Sequence, residues 1–255
     1  MTISFSQLGN MGHAGNQMFQ YAALRGIAAK HGYDWAIPPK HEFGRHYPMR
    51  SSIYDIFELP QVQIINTIIP TSNTPMMERQ FHFDSELFET CTDNVDLNGY
   101  FQSYKYFEHI HDELIEEFSF KSDTLASSKD LIAIHVRRGD YVNQPQFHPV
   151  CSEEYYKEAM KIFDGEKFIV ISDDPEWCSQ QEIFSNCTIA INRSVADDLH
   201  TMVYAKGNII ANSSFSWWGA YLNNNSTVVC PEKWFGVNYN HYNMNDLRPE
   251  SWIQL

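Results

Sequence analysis

Arg137 and Arg138 stand side by side directly after an apolar run, Leu131–Val136. Paired guanidinium forks suit an oxyanion, because each can hold two oxygens in one plane. A second apolar run, Asn208–Ala211, leads into Asn212-Ser213-Ser214, which opens a helical pattern. A helix start offers free N–H groups and the positive end of a dipole. Asp173-Asp174 follow a third apolar run, Lys167–Ile171, and Asp197-Asp198 sit in the first turn of a further helix. Arginines and helix N–H groups for phosphates, with a carboxylate for a base or sugar edge, together suit a nucleoside diphosphate.

Each group also has a plain structural reading. Arg137 and Arg138 could form a salt-bridged rim, and Ser213-Ser214 could serve as an N-cap. Asp174 before Pro175 is a good helix start. Asp197 and Asp198 could simply favour the macrodipole. Trp217-Trp218 reads as core as readily as a ligand stack. Metal chemistry has little support: no D-x-D occurs, no H-x-x-x-H, and no two of the five cysteines are in C-x-x-C spacing. The glycine-containing loop 9–15 is neither a P-loop nor a fitted G-x-G-x-x-G, so ATP and NAD readings fail.

The elements that must position these groups follow from the hydrophobic periods. Ile3 and Phe5 alternate with polar neighbours, and a helix follows from about Asn16, a good N-cap, to His31-Gly32. A short strand is expected at Asp34–Ile37. Residues 40–95 read as irregular, with a β-rich piece at Val62–Ile69, and a helix is expected over Tyr104–Phe118. The polar run 119–130 reads as a linker. Strands are then expected at Leu131–Val136, Lys167–Ser172, Thr188–Ile191, Asn208–Asn212 and Thr227–Cys230. Helices are expected between them, at Glu153–Phe163, Pro175–Phe184, Val195–Ala205 and Ser214–Leu222. Nearly all-apolar strands alternating with helices predict parallel sheet covered on both faces, an α/β fold. In such sheets ligands bind beyond the carboxyl ends of the strands, where the arginines, acids and serines stand.

Composition narrows the partners. The 255 residues carry a formal net charge of −14, which disfavours binding to nucleic acid by phosphate neutralisation. Any phosphate site must be a local exception to that field. The length allows one large or two modest domains, here divided as 1–125 and 126–255. No basic, apolar leader and no run of about 18 apolar residues is present, so neither a signal peptide nor a spanning helix is expected. The composition leaves the oligomeric state open.

His135-Val136-Arg137-Arg138-Gly139-Asp140-Tyr141 resembles the H-x-R-R-G-D-Y motif of the α1,2-fucosyltransferases, glycosyltransferase family 11. Further resemblances follow in family order at Gly12–Tyr21, Gly99–Phe107, Phe168–Pro175 and Asp198–Trp218. The resemblance implies a GT-B-like fold of two facing Rossmann-like lobes, with GDP-fucose in lobe 126–255 and the acceptor in lobe 1–125. It implies inverting, metal-independent transfer of L-fucose to the 2-hydroxyl of a terminal β-galactoside, with no cofactor. Arg137 would grip the β-phosphate with Arg138 supporting, and His135 would line the guanosine. Asp198 would accept from the guanine edge, Ser213 and Ser214 would hold the diphosphate, and Asp173 and Gly15 would complete the donor site. Asn16 would face the reaction centre, and Asp140 is the base candidate. A bacterial or viral cytoplasmic enzyme is implied. Transfer to another acceptor, as in α1,6- or protein O-fucosylation, and a catalytically inactive glycan-binding module remain the alternatives.

Overall fold

The computed structural model describes residues 1–40, 51–59, 74–121, 128–224 and 226–255. It divides into two compact units, Met1–Lys121 with Tyr242–Pro249, and Ser122–His241 with Glu250–Leu255. The expected division at 125/126 and the β-rich piece at Val62–Ile69 lie outside the described residues. Tyr242–Pro249 belongs to the first unit, so the boundary is not a single cut in the chain. There Asp246 accepts the Phe83 N–H at 2.9 Å and Tyr242 stacks on Phe81.

The first unit holds a parallel four-stranded sheet. Its strands β1 (Thr2–Ser4), β2 (Asp34–Ala36), β3 (Thr74–Met77) and β4 (Val95–Asn98) lie in the order β2-β1-β4-β3. Helix α1 (Ala14–His31) is buried over most of its circumference. It stops at Gly32, whose left-handed φ of 67° lets its N–H reach the Ala28 and Ala29 carbonyls. The expected start at Asn16 is corrected: the helix begins at Ala14, and His13 occupies the cap position without a side-chain cap. Among residues 40–95, read as irregular, lie α2 (Ile53–Ile56), β3 and α3 (Ser85–Thr90). Elements of four to six residues are too short to display a clear period, so they escape a pattern reading.

The expected helix over Tyr104–Phe118 is also broken. Two 3₁₀ turns, Tyr104–Tyr106 and Glu108–Ile110, precede α4 (His111–Glu117). Phe107 leaves helical geometry at φ −141° between them, and its ring is fully buried. Burial of that ring outweighs local helix propensity. Phe120, at the start of the expected linker, forms an antiparallel bridge with Phe57.

The second unit follows the expected pattern closely. Its strands are β5 (Leu131–Val136), β6 (Lys167–Ser172), β7 (Thr188–Ile189), β8 (Gly207–Ile209), β9 (Thr227–Cys230) and β10 (Ile253–Gln254). Its helices are α5 (Glu153–Ile162), α6 (Pro175–Ser179), α7 (Val195–Val203) and α8 (Ser214–Tyr221). The Pro175–Phe184 helix is shorter than expected, with a separate 3₁₀ turn at Glu182–Phe184, and β10 carries no sequence signal. All pairings are parallel, in the order β10-β9-β8-β5-β6-β7. The chain builds outward from β5 through β6 to β7, then returns to β5's other side with β8. The switch point therefore lies between β5 and β8, where a doubly wound sheet opens a crevice at its carboxyl edge. Ile132, Ile134 and Val136 pack with Tyr156, Ala159 and Phe184 to form the core beneath it. Trp217 and Trp218 are fully buried, so the core reading of that pair holds. Among the described residues no helix is long and apolar enough to cross a membrane.

Candidate active site

Arg137 and Arg138 leave β5 at the switch point and go separate ways, as alternation along a strand requires. Arg137 lies between two carboxylates, Nη2 2.6 Å from Asp140 Oδ1 and Nη1 2.9 Å from Asp173 Oδ2. Its guanidinium also stands 5.3 Å from the centre of the Tyr141 ring. Arg138 turns to α6. Its Nε is 3.0 Å from Asp174 Oδ2, and its guanidinium lies 3.7 Å over the Trp177 ring. Asp173 organises the turn, because Oδ1 also accepts the Arg138 backbone N–H at 2.9 Å. A Cβ on Gly139 would come within 2.4 Å of Asp173 Oδ2, so a side chain there would push that carboxylate from its place.

The cluster counts two positive groups against three negative ones. A phosphate brought to the same edge of the Arg137 guanidinium would compete with these carboxylates. Asp140 is the easier to displace, since its side chain is 55% exposed against 26% for Asp173. Asp174 is partly committed elsewhere, as it caps α6 through the Trp177 N–H.

Ser213 and Ser214 follow β8, the strand beside β5, and the Tyr141 hydroxyl of the arginine turn reaches the neighbouring Asn212 carbonyl at 3.2 Å. Ser213 takes the extended cap geometry, yet its hydroxyl makes no cap bond, and the first turn of α8 carries no acid. Ser213 thus stands at the N-cap position, as the plain reading expects, without making the side-chain cap bond. Among the described residues the N–H groups that begin α8 have no side-chain acceptor, which is the arrangement an anion needs. Asn212 fixes the entry to the helix. Its Nδ2 donates to the Pro149 and Trp234 carbonyls, and its own carbonyl accepts from the Tyr141 hydroxyl.

His135 sits one step inside β5, 4% exposed, with its ring against Phe215 of α8. Burial, helped by the Arg137 charge, pushes its pKa down to about 3, so the imidazole is neutral. Nδ1 is buried and forms no hydrogen bond among the described residues.

The two acids of α7 have different duties. Asp197 closes a capping box with Ser194, taking its backbone N–H and hydroxyl while Ser194 Oγ accepts the Asp197 N–H. Asp198 is free of that task. Its Oδ1 accepts from Arg193 Nε at 3.1 Å, and burial pushes its pKa up to about 6 against the pull of Arg193.

Gly15 and Asn16 lie in the first unit, in the first turn of α1, where Gly15 is buried. Asn16 Oδ1 accepts from Gln102 Nε2 at 2.7 Å, which joins two sequence motifs 86 residues apart. Gln102 follows a turn held by Glu78, whose carboxylate accepts the Tyr100 and Phe101 N–H groups at 2.8 and 3.0 Å. Phe101 stands at a left-handed φ of 52° there, and burial pushes Glu78 up to about 7. Sequence reasoning missed Glu78 and Arg193, since a lone charge outside a motif carries no spacing signal. Among the described residues no group of three or more His, Cys, Asp or Glu is placed to hold a metal ion.

Two α/β units with parallel sheets, one bearing a guanidinium and an open helix start at its switch point, define a GT-B glycosyltransferase class. Residues 6–255 match the profile of glycosyl transferase family 11, and the chain belongs to that family. It is 28% identical to an Escherichia coli alpha-1,2-colitosyltransferase, over 96% of each chain. It is 26% identical to a Bos taurus galactoside 2-alpha-L-fucosyltransferase, over 85% of this chain and 64% of that protein. Among solved structures, the fucosyltransferase NodZ from Bradyrhizobium superposes with a TM-score of 0.55 at 12% identity, over 86% of this chain and 92% of that one. POFUT1 bound to GDP superposes with a TM-score of 0.52 at 14% identity, over 90% and 98%. Those two likenesses establish the fold.

Proposed function

We propose that the protein transfers L-fucose from GDP-fucose to the 2-hydroxyl of a terminal β-galactoside, with inversion and without a divalent metal. The observation that supports this reading is the pairing of β5 with β8, two strands that lead to Arg137 and to the start of α8, where Ser213 makes no side-chain cap bond. Family membership and the α1,2-transferring relatives support the sugar and the linkage.

In the reaction the acceptor oxygen forms a bond to fucose C1 while the bond from C1 to the β-phosphate oxygen breaks. The electron pair leaves with GDP, so negative charge grows on the β-phosphate as the sugar becomes oxocarbenium-like. Arg137 and the N–H groups at Ser213-Ser214 are aimed at that growing charge, and such preorganised donors favour the transition state over the ground state. Arg138, held by Asp174 and Trp177, supports the turn. His135 lines the guanosine side as a neutral ring, and Asp198 takes the guanine edge. Asp173 anchors the donor turn. The acceptor proton departs late, so a weak base suffices, and we assign it to Asp140 once phosphate has displaced that carboxylate from Arg137.

Incubation with GDP-fucose and lactose, read by mass spectrometry and by NMR of the product linkage, tests the proposal. An α-fucosyl group on the galactose 2-hydroxyl supports it. GDP binding without any transfer to a panel of galactosides would leave a binding module instead. The colitosyltransferase relative favours one second reading, colitose as the sugar transferred, so GDP-colitose belongs in the same assay. Metal independence has its own check: excess EDTA should leave the rate within about twofold, small against the tenfold change per roughly 1.4 kcal/mol of barrier. A loss restored by Mg²⁺ or Mn²⁺ would refute it.

A further inference from the structure

The positive end of a helix repels a cation, yet Arg193 folds back onto the first turn of α7. Asn192, at a left-handed φ of 54°, turns the chain so that it can. Arg193 Nη2 donates to the Asp197 carbonyl at 2.5 Å and to Thr201 Oγ1, and Nε donates to Asp198 Oδ1 at 3.1 Å. Both side chains remain open to solvent, at 24% for Arg193 and 21% for Asp198. Asp197 is turned back to the helix start, with both capping-box bonds on its Oδ2, whereas Asp198 is the acid of this pair that the Arg193 guanidinium holds by its side chain. Among the described residues its Oδ2 accepts no hydrogen bond.

We propose that Arg193 is a specificity-determining positioning residue. By holding Oδ1 it keeps Asp198 charged and aimed, so that the carboxylate accepts from the N1–H and amino edge of guanine and rejects adenine. This rests on the nucleoside-diphosphate reading of the same site. Guanine presents donors where adenine presents the lone pair of N1, so one carboxylate discriminates between them only while it is ionised.

The charged groups acting on Asp198 are Arg193, which favours the carboxylate, and Asp197, which opposes it. His200, further along α7, acts on Asp197, and α8, packed against α7, brings Tyr221 as its one ionisable side chain. Burial already places Asp198 near neutrality at about 6. Loss of the guanidinium would carry it higher, leaving a protonated acid at neutral pH.

The test is calorimetric binding of GDP and ADP across pH, read as the ratio of the two affinities. The ratio cancels the titration of the diphosphate, which both ligands share. In the parent protein the preference for GDP should fall roughly fourfold between about pH 7.5 and 5.5, the change in ionised fraction around a pKa near 6. Arg193→Gln should lower the preference at neutral pH and shift its midpoint upward, so that it returns in mild alkali. Arg193→Lys, which keeps the charge and loses the fork, should fall between the two. An Arg193→Gln protein with the parent's preference and midpoint overturns the proposal. If a melting curve shows that variant unfolded, Asp198→Asn carries the test, with a low preference that is flat with pH. A pH-dependent preference retained by Asp198→Asn also overturns it. A parent that binds ADP as well as GDP at every pH refutes the nucleotide reading itself, a separate failure.

Discussion

Adjacent arginines of one motif have different surroundings, and those surroundings predict different mutant behaviour. Arg137 is held by Asp140 and Asp173, while Arg138 is stacked on Trp177 and paired with Asp174. A lysine keeps the charge but not the planar fork. Arg137→Lys should lose roughly 10²-fold or more in kcat, the size of removing one preorganised donor. Its melting temperature should barely change. Arg138→Lys should lose less turnover, and removal of the stack should lower stability by about 0.5–1 kcal/mol. Initial rates and melting curves on both proteins decide the matter, and a larger rate loss in Arg138→Lys would exchange their roles.

Helix α8 begins with neither a capping side chain nor an acid, whereas α7 begins with a complete capping box. Helix starts left open in this way are less stable than they could be. Ser214→Asp would supply an acid in the first turn. It should stabilise the ligand-free protein by about 0.3–1 kcal/mol, while repelling the diphosphate and raising the donor KM at least tenfold. Stability without a loss of donor affinity would show that α8 does not face the phosphates. The same element-level contrast explains why Asp197 and Asp198, neighbours in sequence, differ: one closes its helix and the other does not.

At the scale of the molecule, acid sensitivity should trace in part to His135. Its folded pKa lies near 3 against an ordinary 6.5, so below 6.5 the unfolded chain binds the proton more readily. The neutral ring thus contributes its full share of stability above pH 6.5, and that share is lost as pH falls toward 3. Denaturant midpoints should therefore drop more steeply between pH 6.5 and 4 in the parent than in His135→Gln. Parallel slopes would mean that the ring reaches a proton-compatible environment. The −14 net charge makes a local device necessary for any anion, and in the proposed donor site that device would be Arg137 with the start of α8.

The sequence by itself determined the second unit's elements, because all-apolar strands alternating with helices leave few other folds. Leu131–Val136, Lys167–Ser172 and Thr227–Cys230 have the expected limits. It also determined the family, through ordered motifs whose residues stand at strand ends. It could not decide strand order, since any parallel order satisfies the same pattern. Only the tertiary structure placed β8 beside β5, and with it brought the Asn212 carbonyl to the Tyr141 hydroxyl of the turn that bears Arg137. Local hydrogen bonds, likewise invisible to spacing, decided that Asp197 is a cap, that Asn16 accepts from Gln102, and that Arg193 attends Asp198. In the first unit the buried ring of Phe107 broke an expected helix, because burial of a large side chain outweighs propensity summed over one turn.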